Sequence, residues 1–152
     1  MKSNYQVCKD FAENKSATRS TNVFFAHDWN GNGRTLYSYG YHFAIARIID
    51  GQCFFTVRGY SRSTTKHIAD ARRAPSGVNL VFCPYPESVA DSLKYWSNAL
   101  ENLRRKLSRA RKPEKYTVQI NSILQQMKIY LNAVQTIAPA WMRLYTKMAK
   151  NA

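Results

Sequence analysis

Acidic residues are scarce in this chain, and so are the groups from which most catalytic and metal sites are built. Its 152 residues hold nine Asp and Glu, three His and three Cys. So few carboxylates leave little to orient a catalytic triad, and no G-x-S-x-G nucleophile elbow is present. His27, His42 and His67 lack the Cys or carboxylate partners at zinc-ligand spacing that a metal site needs. Cys8, Cys53 and Cys83 are odd in number and have no C-x-x-C spacing, which argues against a disulfide framework. Three reduced thiols in a cytoplasmic protein are the expectation. No G-x-x-x-x-G-K or G-x-G-x-x-G exists, so a nucleotide-binding loop has no support. Neither a signal-peptide pattern nor an apolar run of 18 residues occurs, and no membrane partner is expected.

What the chain has in excess is positive charge. Lys and Arg number 23, for a formal net charge of +14. Residues 1–85 carry 11 bases against 5 acids and residues 86–152 carry 12 against 4, so the charge is not a detachable tail. A surface of this kind attracts polyanions. Ten Tyr and an apolar fraction of 45% argue for a folded chain, and its length suits one domain with a real core.

In chain order, residues 5–14 suggest a short helix, and Thr21–His27 is a β-branched and aromatic run that ends at the turn signal D-W-N-G-N-G. Asp28, Asn30, Asn32 and Gly33 match the opening of a calcium-binding EF-hand loop. Tyr39 occupies the twelfth position, where a bidentate Glu belongs, so a tight turn explains the residues without a metal. From Thr35 to Ile49 residues alternate with period two, which predicts one long strand or two joined at a Gly40 bulge. Asp50-Gly51 followed by Q-C-F-F-T-V-R predicts an antiparallel hairpin over residues 41–58. Gly59–Ala74 predicts a short helix capped near Ser63 or Thr64, beside Arg62 and Lys66, where free backbone N–H groups suit either ordinary capping or a phosphate. Val78–Cys83 is a last strand, and P-Y-P closes the head near residue 86.

Leu36–Arg47, L-Y-S-Y-G-Y-H-F-A-I-A-R, then the D-G turn, then Tyr60–His67, Y-S-R-S-T-T-K-H, together resemble a family of small phage and mobile-element proteins. Those proteins share a Y-S-Y strand and a Y-S-x-T-T-x-K-H segment. The similarity is confined to residues 36–67 and does not extend to the flanks. It implies a phage or mobile-element origin and a β-hairpin head, and it brings no activity with it.

From Glu87 the period becomes helical. Val89, Leu93, Trp96, Leu100, Leu103 and Leu107 form one stripe, and Ser88–Asp91 reads as a capping box. After Lys112-Pro113 a return stripe runs through Ile120, Leu124, Met127, Leu131, Val134, Ala138, Trp141, Tyr145 and Met148, with Pro139 predicting a kink and a short final helix to about residue 149. The expected architecture is α+β: a small antiparallel β-sheet head with one short helix over residues 1–86, then a long antiparallel α-helical hairpin over 87–152, forming one compact unit.

Between the two stripes lies R-R-K-L-S-R-A-R-K-P-E-K, with seven bases against one acid. Arg104, Arg105, Lys106, Arg109, Arg111, Lys112 and Lys115 are expected to project from the hairpin tip and contact phosphates. Arg62, Lys66, Arg72 and Arg73 form a second basic patch on the short helix. Tyr37, Tyr39, Tyr41, Phe54 and Phe55 are candidate stacking platforms or core. The expected function is non-catalytic binding of nucleic acid, DNA or RNA, with no cofactor or metal. The alternatives are an anti-CRISPR-type phage inhibitor of a host nucleoprotein complex, a homodimer through the helical seam, and a metal-independent ribonuclease using His42 and His67.

Overall fold

The computed structural model describes residues 2–28, 33–59, 62–73 and 79–137. Helix α1 (Asn4–Ala12) starts at Ser3, whose hydroxyl accepts the Gln6 N–H, and ends where Asn14 turns left-handed at φ 57°. Strands β1 (Val23–His27), β2 (Gly33–Ser38), β3 (Ala44–Ile49) and β4 (Gln52–Thr56) form an antiparallel meander. Helix α2 (Arg62–Arg73) then carries the chain to β5 (Asn79–Cys83), which pairs with β4 in parallel. Helices α3 (Val89–Arg109) and α4 (Glu114–Ile137) complete an α+β fold with a five-stranded sheet and a two-helix hairpin.

Three expectations change. The sheet is mixed, not wholly antiparallel, because the α2 crossover returns the chain in the direction of β4; a two-residue hairpin cannot do that. The head holds both α1 and α2, the helices that residues 5–14 and 59–74 suggest, where the expected architecture counts one. And Thr35–Ile49 is neither one strand nor two strands continued through a bulge at Gly40. The chain reverses at Tyr39–Phe43, with Tyr39 at φ 66° and the Ser38 N–H donating to the Phe43 carbonyl. The irregularity falls further on, where Leu36 faces Ala46 but Tyr37 faces Ala44. Ile45 is the extra residue, so Ile45 and Ala46 both enter the same core cluster, against strict alternation.

The Asp50-Gly51 turn is as expected. Both residues have positive φ, 47° and 76°, the geometry whose twist matches a two-residue hairpin. Gly33 is demanded by close approach: a Cβ there would lie 2.8 Å from Asp28 Oδ2 and 3.2 Å from the Ile48 carbonyl.

Alternation along β4 and β5 divides the core in two. Cys53 and Phe55 face α1 and α2, where they meet Val7, Phe11, Phe25, Leu36 and Ala71. Phe54, Val81 and Cys83 face the hairpin, where they meet Trp96, Tyr130 and Val134. The helices therefore sandwich the sheet: α1 and α2 on one side, the base of the hairpin on the other. Arg34 ties α1 down by donating to the carbonyls of Phe11 and Ala12 at the C-terminal end of the helix. Asp10, fully buried, accepts from Lys2, Gln6 and Thr18, and the Lys2 ammonium above all holds its carboxyl below the usual range.

The α3 stripe behaves as its spacing predicts, with Trp96 and Leu100 buried and Leu103 and Leu107 half-buried. On α4 Met127, Leu131 and Val134 pack as the spacing predicts, and the departures are local. Ile123 and Tyr130 pack inward, whereas Leu124 is 43% exposed. Polar-tipped Tyr130 lies outside an apolar stripe read from sequence, yet it is the bulkiest of the fully buried side chains described on α4. Much of the seam is thus used within the chain. The predicted kink at Pro139 and the final helix lie outside the described residues. All three cysteines are unpaired and buried, and burial pushes the thiols of Cys8 and Cys53 up to about 12. No described helix is long and apolar enough to cross a membrane.

Candidate nucleic-acid interface

Helix α3 continues past its last fully buried residue, Leu100, because Leu103 and Leu107 keep the seam and the intervening Arg and Lys are good helix formers. Nine further residues at 1.5 Å each carry Arg109 roughly 13 Å beyond Leu100. The helix stops at Ala110, which adopts an extended conformation ahead of Pro113. The Pro113 carbonyl then accepts the N–H groups of Tyr116 and Thr117, both at 3.1 Å, and α4 begins.

Arg104, Arg105, Lys106, Arg109, Arg111, Lys112 and Lys115 are all exposed at this tip. Among the described residues Arg105 has the one acidic partner: its guanidinium lies 3.5 Å from Glu101 Oε1, and both side chains are more than 60% exposed. Water screens so open a pair. Lys106 and Arg109 occupy the last turn of α3, where the helix dipole favours cations. The Lys115 ammonium lies 5.9 Å from the Tyr116 ring. The tip is thus a set of cations whose charge the described residues leave almost wholly unneutralised.

The second basic patch is placed in part. Lys66 and Arg72 are exposed on α2, and the Arg72 guanidinium sits 5.1 Å over the Phe82 ring, beside an open groove of about 520 Å³ that also holds Arg58 and Gln126. Helix α2 already begins at Arg62, which puts Ser63 and Thr64 inside its first turn and not at the N-cap expected of them; the side chains of Arg62, Ser63, Thr64 and Arg73 lie outside the described residues.

Of the five candidate rings, Phe54 and Phe55 are core at 3% and 1% exposure. Tyr37 is half-buried, and Tyr39 and Tyr41 are exposed at 51% and 73%. Phe24, which no sequence signal marks as a candidate, joins Tyr37 and Tyr41.

The histidines do not share one surface. His27 is exposed, with Nε2 3.0 Å from the Lys15 carbonyl, and His42 is exposed in the β2–β3 turn. His67 is 2% exposed and shares a 2.8 Å hydrogen bond through Nδ1 with the Ser38 hydroxyl, beneath the Tyr39 ring. His67 is buried and His42 exposed, so the two imidazoles named as an acid and base differ in their access to solvent.

Burial also lowers the pKa of His67 from 6.5, assisted by Lys66 and opposed by Asp70. The unfolded chain therefore binds this proton more tightly than the folded one. The stabilisation is fully present above pH 6.5 and is lost as pH falls, with a limiting slope of about 1.4 kcal/mol per pH unit. Glu87, whose carboxyl burial pushes up, acts in the opposite sense at lower pH. Chemical denaturation at pH 7.0 and 5.5 should show the wild type losing stability and His67→Gln losing less of it. Equal losses in the two proteins would refute this assignment.

Two arginines that the sequence did not single out support the hairpin face of the sheet. Arg47 donates to Asp28 at 2.7 Å, so the first residue of the calcium-like motif is held by a cation; residues 29–32 lie outside the described set. No group of three or more potential metal ligands occurs among the described residues. Arg58 lies 3.6 Å from the centroid of Tyr85, donates through Nε to the Pro84 carbonyl, and keeps Nη2 buried without a hydrogen-bond partner among the described residues. No local sequence signal marks either role, because each partner is 19 or more residues away. Comparison of the chain with protein-family models, with curated proteins and with solved structures finds no match.

Proposed function

We propose that this protein binds nucleic acid without catalysis, through the basic tip of its helical hairpin. The observation that carries this reading is the group of seven exposed Lys and Arg side chains beyond the buried part of α3 and α4, with a single weak acidic partner. Each phosphate met there releases condensed counterions, which makes binding strong at low salt and independent of sequence. A phage or mobile-element origin and a cytoplasmic location belong to the same proposal.

Fluorescence anisotropy with short single- and double-stranded DNA and RNA tests it. The expected result is an affinity that falls linearly in log salt, with a slope worth several phosphates. Absence of binding at ~50 mM salt, where such contacts are strong, overturns the reading.

The outward-facing Val118, Leu124 and Ile129 on α4, exposed at 68%, 43% and 49%, favour a second reading in which the hairpin docks on a host nucleoprotein complex as an inhibitor. Nuclease treatment separates the two. A complex held by phosphate contacts is released, and one held by apolar contacts with a protein subunit persists.

A further inference from the structure

Strands β1 and β2 bury one face against α1, and on the other face Phe24 and Tyr37 stay partly exposed, with no described helix packed over them. Val23, Phe25 and Leu36 point into the α1 core, so period two turns Phe24 and Tyr37 the opposite way. The hairpin covers that opposite face at Phe54 and Val81, on β4 and β5. Its described residues pack on β4 and β5 and not on β1. Phe24 and Tyr37 are direct cross-strand partners whose rings stack at 5.3 Å with 24° between their planes.

A third ring completes the surface. Tyr41, 73% exposed in the β2–β3 turn, sets its edge against both, 5.1 Å from Phe24 and 5.0 Å from Tyr37. The Arg19 guanidinium lies 5.6 Å over Phe24. Of the acids nearby, Asp28 is paired with Arg47 at 2.7 Å, and Glu87 has a carboxyl that burial pushes above the usual carboxylate range. A cluster of aromatic faces edged by a cation, on a protein of charge +14, is complementary to a ligand that is at once planar, aromatic and anionic. A duplex hides its base faces in the stack. An unpaired strand displays them.

We infer that the face of β1–β2 opposite α1, formed by Phe24, Tyr37 and Tyr41 with Arg19 at its edge, is a stacking platform for unpaired bases, which makes single-stranded nucleic acid the ligand. This inference rests on the nucleic-acid reading of the hairpin tip and adds the class of strand. The tip holds phosphates of any strand; the platform selects strands whose bases are free.

Tyr41 is the residue to test, since its exposure makes its removal harmless to the fold. The probes are a 12-mer of deoxythymidine, a duplex of the same length, and a 12-mer of abasic sites, which keeps the phosphates and lacks the bases. Tyr41→Ala should weaken binding of the thymidine strand by roughly 5- to 150-fold. Its salt slope should stay as in the wild type, Tyr41→Phe should retain the affinity, and the duplex and abasic strand should bind both proteins alike. Equal affinity of wild type and Tyr41→Ala for the thymidine strand overturns the platform while leaving the tip intact. Wild-type binding that ignores salt overturns the tip instead, and no binding of any probe overturns both.

Discussion

Replacing Arg104, Arg105 and Lys106 together with Ala should lower the salt slope of polyanion binding by two to three units and leave thermal unfolding unchanged. Each phosphate neutralised contributes about 0.9 to the slope on B-DNA and about 0.7 on a single strand. Three contacts on a duplex are then worth about 2.7 logarithmic units between 0.1 M and 1 M salt. The variant should fall behind the wild type by a factor on the order of 10² to 10³ more at the lower salt than at the higher. The fold has no stake in these side chains: all three are exposed, and Arg105 gives up one screened contact with Glu101. The comparison needs a matched control on the head, and Lys66, exposed on α2, supplies it. Should the triple variant keep the wild-type slope while Lys66→Ala loses one unit, the phosphate contacts belong to the head and not to the tip.

The tip was legible in the sequence because its signal is local. Seven bases in twelve residues, bounded by two helical periodicities and a proline, need no tertiary information to be placed at the end of a hairpin. The Asp50-Gly51 turn was legible for the same reason, since its two positive φ values are written in those two residues. Elements whose geometry depends on distant partners were not. The bulge at Ile45 is set by how β3 registers against β2, and Gly40 drew the prediction because glycine is a frequent marker of bulges. The parallel pairing of β5 depends on which edge α2 delivers it to, and the composition of V-N-L-V-F-C is the same for either direction.

The rings show the same limit from the side of function. Tyr37, Phe54 and Phe55 are equivalent as strand aromatics in sequence, yet coverage by the hairpin buries Phe54, the opposing helices bury Phe55, and Tyr37 is left half-exposed. Phe24 was missed because V-F-F reads as a core strand. Its neighbour Phe25 does enter the core, and the pleat alone turns Phe24 outward. Which aromatic can meet a ligand is therefore a property of the layers, fixed only once α1 and the hairpin have each taken one face of the sheet.

The largest loss of stability should follow from Trp96→Ala. Trp96 is 2% exposed, and its ring meets Tyr130 edge to face at 5.3 Å; Tyr130 in turn meets Phe54 at 5.7 Å. Three rings thus join α3, α4 and β4, and removing the first leaves a cavity at the point where the hairpin grips the sheet. Truncation of a buried Trp costs about 3–5 kcal/mol, a large part of the total for a domain of this size. At 2–4 °C per kcal/mol, the melting temperature should fall by about 6–20 °C. Leu124→Ala, on the exposed side of α4, should change it by no more than about 2 °C. Calorimetry decides whether the head and hairpin act together. One transition shifted downward means that the sheet cannot hold its hairpin-facing residues Phe54 and Val81 once the hairpin loosens. Two transitions, with only the lower one moved by the substitution, would mean that the head folds on α1 and α2 alone. A melting temperature that does not move at all would remove the Trp96–Tyr130–Phe54 contact from its place as the joint between the layers.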